Sequence, residues 1–149
     1  MRRNFSLRLG IVVLFFAGCA TADQKVPEMA ADYCNCFNDL EKNTSSKTKE
    51  LIAKAAASAN PELTLTTDLQ ALPDDEKMTV AQEMMAMGKV QDNTSTLGMC
   101  MAAADKKYKN DRTYNEKKLY EKIIKELESK QGCSFTANVM KIGLKAKKD

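Results

Sequence analysis

Apolar residues recur along most of the chain at the spacing of a helix. Between residues 27 and 42 they form one stripe, whose members are Met29, Tyr33, Cys36, Phe37 and Leu40. Residues at this spacing lie on one side of an α-helix, and Pro27 is well placed for its first turn. The pattern therefore predicts a first helix over residues 27–42.

The next two segments differ in how clearly they indicate a helix. Residues 47–59 are rich in alanine and predict a second helix. Asn60-Pro61 ends it, because the residue before a proline disfavours helical backbone. Residues 62–71 mix leucine with threonine, so this stretch fits either a short helix or an ordered loop.

A strong helix start follows. Pro73 precedes two aspartates and a glutamate, and acids are favoured in the first turn of a helix. We expect this helix to run through Met87 and to break at Gly88 or in the polar run 91–95. Residues 97–109 then predict another helix, which ends in a basic turn as helix C-termini often do.

The C-terminal part predicts two more helices. Thr113 and Glu116 have the spacing of a capping box, which marks a helix start. The stripe behind it is the cleanest in the chain: Tyr120, Ile123, Ile124 and Leu127. Gly132 ends that helix, and residues 133–147 form the last one. The sequence thus predicts an all-α protein, a small bundle of four to six helices.

Composition agrees with this class. The 149 residues suit one domain with a modest core. Six glycines, three prolines and only 6% aromatic residues stand beside many alanine, lysine, glutamate, leucine and methionine residues. Most of these abundant types are good helix formers.

The N-terminus has the build of an export signal. Residues 1–8 contain three arginines, and residues 9–17 are a mostly apolar run. That run is shorter than the roughly 20 residues that span a bilayer, and a basic start before a short apolar run is typical of a signal peptide. We therefore expect this segment to be removed.

The residues that follow resemble the lipobox of bacterial lipoproteins. Phe16-Ala17-Gly18-Cys19 fits that pattern except at Phe16, where leucine is commonest. The resemblance implies removal of residues 1–18, lipidated Cys19, a tether over 19–26 and membrane attachment through the lipid, followed by the predicted helical domain over 27–147. Alanine rather than aspartate after the cysteine implies the outer membrane.

Other N-terminal processing remains open. Ala20-Thr21-Ala22 fits the site of an ordinary signal peptidase, and cleavage there would give a secreted or periplasmic protein that begins at Asp23. An uncleaved anchor is the third alternative.

Charge argues against nucleic acid as a partner. The chain carries a net +3, but three arginines lie in the expected signal, and without them 20 basic residues balance 20 acidic ones. Residues 19–104 hold 7 basic and 13 acidic side chains, whereas residues 105–149 hold 13 basic and 7 acidic ones. The two halves either complement each other in the bundle or leave a basic docking face.

Four cysteines predict two disulfides. Lipidation or loss of Cys19 leaves Cys34, Cys36, Cys100 and Cys133. Residues two apart on a helix differ by about 200°, so Cys34 and Cys36 cannot pair with each other without strain. One reaches Cys100 and the other Cys133, and both pairings remain open. Such bonds indicate an oxidising compartment.

Two metal chemistries and one redox chemistry compete with this interpretation. A four-thiolate zinc site usually uses C-x(2–4)-C pairs, which the chain lacks. Thiol redox activity lacks the C-x-x-C motif and any histidine. Thioether sulfurs of Met84, Met87, Met99 and Met101 are suited to Cu(I), although methionines more often fill helical cores.

Catalytic motifs are missing from the sequence. The absence of histidine excludes histidine-dependent triads and bases and the c-type haem motif, and no glycine-rich phosphate loop is present. We therefore predict a non-enzymatic, lipid-anchored envelope protein without a cofactor, which acts as a binding or structural module for an unknown protein partner. The alternative is a Cu(I) or thiol-redox protein that uses the methionines and cysteines.

Overall fold

The computed structural model describes residues 22–108 and 116–146, and seven α-helices account for most of them. In chain order they are α1 (Ala22–Lys42), α2 (Ser46–Ala57), α3 (Pro61–Gln70), α4 (Asp74–Gly88), α5 (Thr96–Lys107), α6 (Glu116–Ser129) and α7 (Ser134–Ala146). A 3-10 turn, Lys89–Gln91, follows α4 directly. None of the described residues lies in a strand. The predicted all-α, disulfide-braced bundle is confirmed, with seven α-helices in these residues rather than the four to six expected.

The first helix begins earlier than its sequence pattern indicates. α1 starts at Ala22 rather than at residue 27, so residues 22–26 of the expected tether are helical. Pro27 therefore lies inside the helix, where it cannot donate a backbone hydrogen bond. Val26 is only 7% exposed and belongs to a buried cluster that also includes residues of α5, α6 and α7, and this burial favours the helix despite the missing hydrogen bond.

The threonine-rich stretch, for which helix and loop were both open, forms α3. Asn60 caps it, since its side-chain oxygen accepts a 3.1 Å hydrogen bond from the backbone N–H of Leu63. Pro61 occupies the first turn and is the one buried residue of this helix. The cap and the proline compensate for the weak helix propensity of the threonines.

The core consists of two clusters that share α1. The first gathers buried residues of α1, α5, α6 and α7 and of the positions directly after α5 and before α7: Val26, Met29, Ala30, Tyr33, Ala104, Tyr108, Leu119, Ile123, Leu127, Cys133 and Ala137. The second centres on Phe37, Ile52 and Phe135, with the Phe37 and Phe135 rings edge to face at 6.5 Å between centroids. α4 contributes one buried residue, Val80. α3 and α4 therefore lie at the periphery of the bundle.

The two disulfides join α1 to opposite parts of the chain. Cys34 pairs with Cys133, just before α7, and Cys36 pairs with Cys100 of α5. The Cα atoms of the pairs are 5.4 and 5.6 Å apart, within the usual range for a disulfide. The prediction that the two cysteines of α1 reach different distant partners is confirmed, and the pairing is now resolved.

Capped or glycine-containing turns connect neighbouring helices within the described residues. Ser95 caps α5 by accepting a hydrogen bond from the Gly98 backbone N–H. Gly132 has φ 79°, the left-handed conformation that favours glycine, in the turn between α6 and α7. The predicted Thr113 cap lies outside the described residues. Among the described helices, none combines the length and the apolar character needed to cross a bilayer.

Candidate functional site

The structure describes the four cysteines that were predicted to form disulfides, but not the predicted lipidation site. All four cysteines of the described ranges are in disulfides, which leaves them without a thiolate for zinc. Cys19 lies outside the described residues. In residues 22–108 and 116–146, no group of three or more cysteine, histidine, aspartate or glutamate side chains has a metal-binding arrangement.

The four methionines considered for Cu(I) have different surroundings. Met87 and Met101 pack against the second core cluster, as expected for methionines that fill a core. Met84 is half-buried, whereas Met99 is 53% exposed. Because Met99 and Met101 are two residues apart on α5, they leave it on nearly opposite sides.

One open groove runs between α1 and α5 beside a disulfide. Its volume is about 250 Å³. Its lining residues are Asp32, Asn35, Cys36, Cys100, Ala103, Ala104 and Lys107. Cys36 and Cys100 are both half-buried, whereas in the other disulfide Cys34 is half-buried and Cys133 is only 6% exposed. The Cys36–Cys100 bond is therefore the more accessible of the two.

A polar network crosses between the same two helices. The Tyr108 hydroxyl donates to Asp32 at 2.7 Å, and the Lys107 ammonium donates to the same carboxylate oxygen at 2.8 Å. Lys107 also pairs with Glu28 at 2.7 Å. In the reverse direction, Tyr33 of α1 donates to Asp105 of α5 at 2.8 Å. The ion pairs of Lys107 join the acidic N-terminal half to the basic C-terminal half.

The network holds its groups in their ordinary charge states. Hydrogen bonds from Lys107 and Tyr108 lower the pKa of Asp32 below its usual value. Hydrogen bonds to Asp32 and Glu28 raise the pKa of Lys107. Burial and the Asp32 carboxylate raise the pKa of Tyr108. Proton transfer at neutral pH is thus disfavoured in all three groups, and the network positions α1 against α5.

A larger groove lies where the α2–α3 corner meets the end of α7. Its volume is about 650 Å³, within the range of ligand pockets. Its apolar lining comes from Ala59, Pro61, Leu65, Ile142 and Ala146. Asn60, Glu62 and Lys145 supply the polar groups.

The two charged groups of this groove differ in their partners. The Lys145 ammonium donates to the backbone oxygens of Ala56 and Ser58, at 2.7 and 2.6 Å, and so satisfies the carbonyl end of α2. Glu62 is exposed on the first turn of α3. The groove therefore presents an apolar floor with an exposed carboxylate at its edge.

The outer face of α4 is a third candidate surface. Met78 and Met85 are 63% and 68% exposed, on the side of the helix opposite Val80 and Met87. The inner face is fastened through Glu83, which accepts 2.9 and 2.8 Å hydrogen bonds from the backbone N–H and hydroxyl of Ser45. Burial raises the pKa of Glu83, but hydrogen bonds from Thr48 and Ser45 outweigh it and lower the pKa.

Similarity to known proteins does not identify a function for these surfaces. No protein-family model matches the chain, and no curated protein or solved structure is significantly similar to it. Sequence patterns had not revealed the two grooves, because their linings come from segments far apart in the chain. The seven-residue spacing of Met78 and Met85 was visible in the sequence and could have indicated a second apolar face on α4.

Proposed function

We propose that this chain is a non-enzymatic, lipid-anchored protein of the bacterial cell envelope that binds a protein partner through the groove between the α2–α3 corner and α7. The observation that supports a binding role is the groove itself, which has an apolar floor and a volume of about 650 Å³. Exposed apolar surface with a polar edge is typical of interaction sites. An apolar segment with a basic residue near Glu62 would complement it.

The cysteines and the N-terminus support the envelope location. The basic start, the apolar run and the lipobox-like residues before Cys19 indicate export and acylation. Two disulfides are characteristic of chains that fold in an oxidising compartment. Because α1 begins at Ala22, an acyl group on Cys19 would hold the helical domain close to the membrane surface.

Acylation is tested by expressing the full chain in a bacterial host that is fed labelled palmitate. We expect label in the wild-type chain and none in Cys19→Ala, with an N-terminal peptide whose mass includes the acyl chains. An unacylated mature chain that begins at Asp23 would overturn the lipid anchor and leave the groove as a separate question.

The groove is tested by placing a photo-cross-linking amino acid at Ala59 in cells that produce the full chain. We expect one defined protein adduct, which Glu62→Lys weakens by removing the carboxylate at the edge. The matched control is the same cross-linker at Leu63, which is 62% exposed and does not line the groove, since it lies about 200° around α3 from the lining residues Pro61 and Leu65. Equal adducts at both positions, or none at Ala59, would contradict binding in the groove.

Thiol redox activity is the second candidate function, and the observation that favours it is the greater accessibility of the Cys36–Cys100 disulfide. A dithiol partner would reduce this bond, giving up two electrons and two protons and becoming a disulfide itself. Thiol labelling after graded dithiothreitol treatment would show Cys36 and Cys100 before Cys34 and Cys133. Simultaneous labelling of all four cysteines would remove this candidate.

A further inference from the structure

α4 carries two separate apolar faces. Its inner face holds Val80, which is 1% exposed, and Met87, which packs against the second core cluster. Met78 and Met85 lie two turns apart on the outer face, about 10 Å from each other along the axis. A helix that packs against the core on one side requires a single apolar stripe. Packing in the bundle therefore does not explain the exposed Met78 and Met85.

Charged residues at the two ends of α4 are placed symmetrically about the middle of this outer face. Asp74, the first residue of α4, lies four residues before Met78, and Lys89, in the 3-10 turn directly after α4, lies four residues after Met85. Both charged residues are exposed, and the side chain of Asp74 is fully accessible apart from a 3.3 Å pairing with Lys77. The order acid, methionine, methionine, base is therefore self-complementary when one copy is reversed.

We propose that α4 packs antiparallel against α4 of a second copy of this chain, around a two-fold axis that passes between residues 81 and 82. In this register Met78 contacts Met85 of the second copy, and Asp74 faces Lys89 of the second copy. Both contacts occur twice, as an isologous interface requires. Methionine side chains adapt well to such a contact because they are unbranched and flexible.

The small contact area of one helix pair makes the proposed association weak and reversible. A single helix pair covers less than the roughly 1,200 Å² that stable interfaces bury. Attachment of both copies to one membrane would raise their effective concentration and strengthen the pairing. This last step rests on the proposed lipid anchor, whereas the pairing itself does not.

The charge arrangement allows a strict test with two single variants of the mature chain. Asp74→Lys places lysine opposite Lys89 in a pair of identical copies, and Lys89→Asp places aspartate opposite Asp74. Each variant alone is therefore expected to remain monomeric. Mixed together, they restore opposite charges at both ends of the interface, so sedimentation at concentrations up to about 1 mM should show dimers of mixed composition.

Met78→Glu should abolish the wild-type dimer, whereas Met99→Glu, at another exposed methionine, should not. The proposal is overturned if the wild type stays monomeric over this range, if the mixture of charge variants does not associate, or if Met99→Glu is as disruptive as Met78→Glu. Circular dichroism of each variant confirms that the helices are intact. Because none of these measurements depends on acylation or on the groove, their failure and that of the proposed function remain distinguishable.

Discussion

Tyr108, at the end of α5, donates a 2.7 Å hydrogen bond to Asp32 of α1 across 76 residues of chain. The ring of Tyr108 is buried in the first core cluster, whereas the carboxylate also accepts from Lys107 at the surface. One hydroxyl thus connects the packed interior to the ion pairs that join α1 and α5.

Tyr108→Phe is expected to lower the free energy of unfolding by about 1.5–3 kcal/mol, the usual contribution of a hydrogen bond to a charged group. The ring still fills the core, so the loss reports on the hydroxyl. Urea unfolding of wild type, Tyr108→Phe, Asp32→Asn and the double variant forms a cycle that isolates the pair. Additive losses would show that the two residues do not interact energetically.

Acid should weaken the same contact. The pKa of Asp32 is lowered from its usual 3.8 in the folded chain, so its contribution to stability is complete above that value. It is lost as the pH falls from about 3.8 through the lower folded pKa, since the folded carboxylate then takes up its proton.

We therefore expect the difference in free energy of unfolding between wild type and Asp32→Asn to narrow over this acidic range. Denaturant unfolding at a series of pH values measures it. Asp39→Asn, on the same helix but with a side chain 89% exposed, controls for the loss of one charge and should differ little from wild type. A difference that stays constant down to the most acid pH would contradict this role of Asp32.

The two disulfides should stabilise the fold by different amounts. They close loops with sequence separations of 99 and 64 residues, and the chain-entropy account gives about 4–5 kcal/mol for either. Cys133 is buried, whereas Cys34, Cys36 and Cys100 are half-buried. Cys34→Ala/Cys133→Ala should therefore lower the melting temperature more than Cys36→Ala/Cys100→Ala, and the reverse order would contradict the role given to burial.

Local patterns predicted the helices, but contacts between helices decided the details. The spacing of apolar residues predicted most of α1. The angle of about 200° between residues two apart on a helix predicted that Cys34 and Cys36 have different partners. Which partner each one takes depends on the side of α1 on which α5 and α7 pack, and no local pattern encodes that. The early start at Ala22 likewise fits the burial of Val26 in the first core cluster, whose other members lie far along the chain.

Gly98, in the first turn of α5, lies directly against the backbone of the turn that precedes this helix. A Cβ at Gly98 would collide with the backbone oxygen of Asp92, whereas a Cβ at Gly143 of α7 would meet nothing within 4 Å. Gly98→Ala should therefore destabilise the fold by about 1–3 kcal/mol, as overpacking does. Gly143→Ala should stabilise it by about 0.5–1 kcal/mol, because alanine loses less backbone entropy in a helix. Thermal unfolding of both variants measures the opposite signs, and a stabilised Gly98→Ala chain would show that the turn can move away from α5.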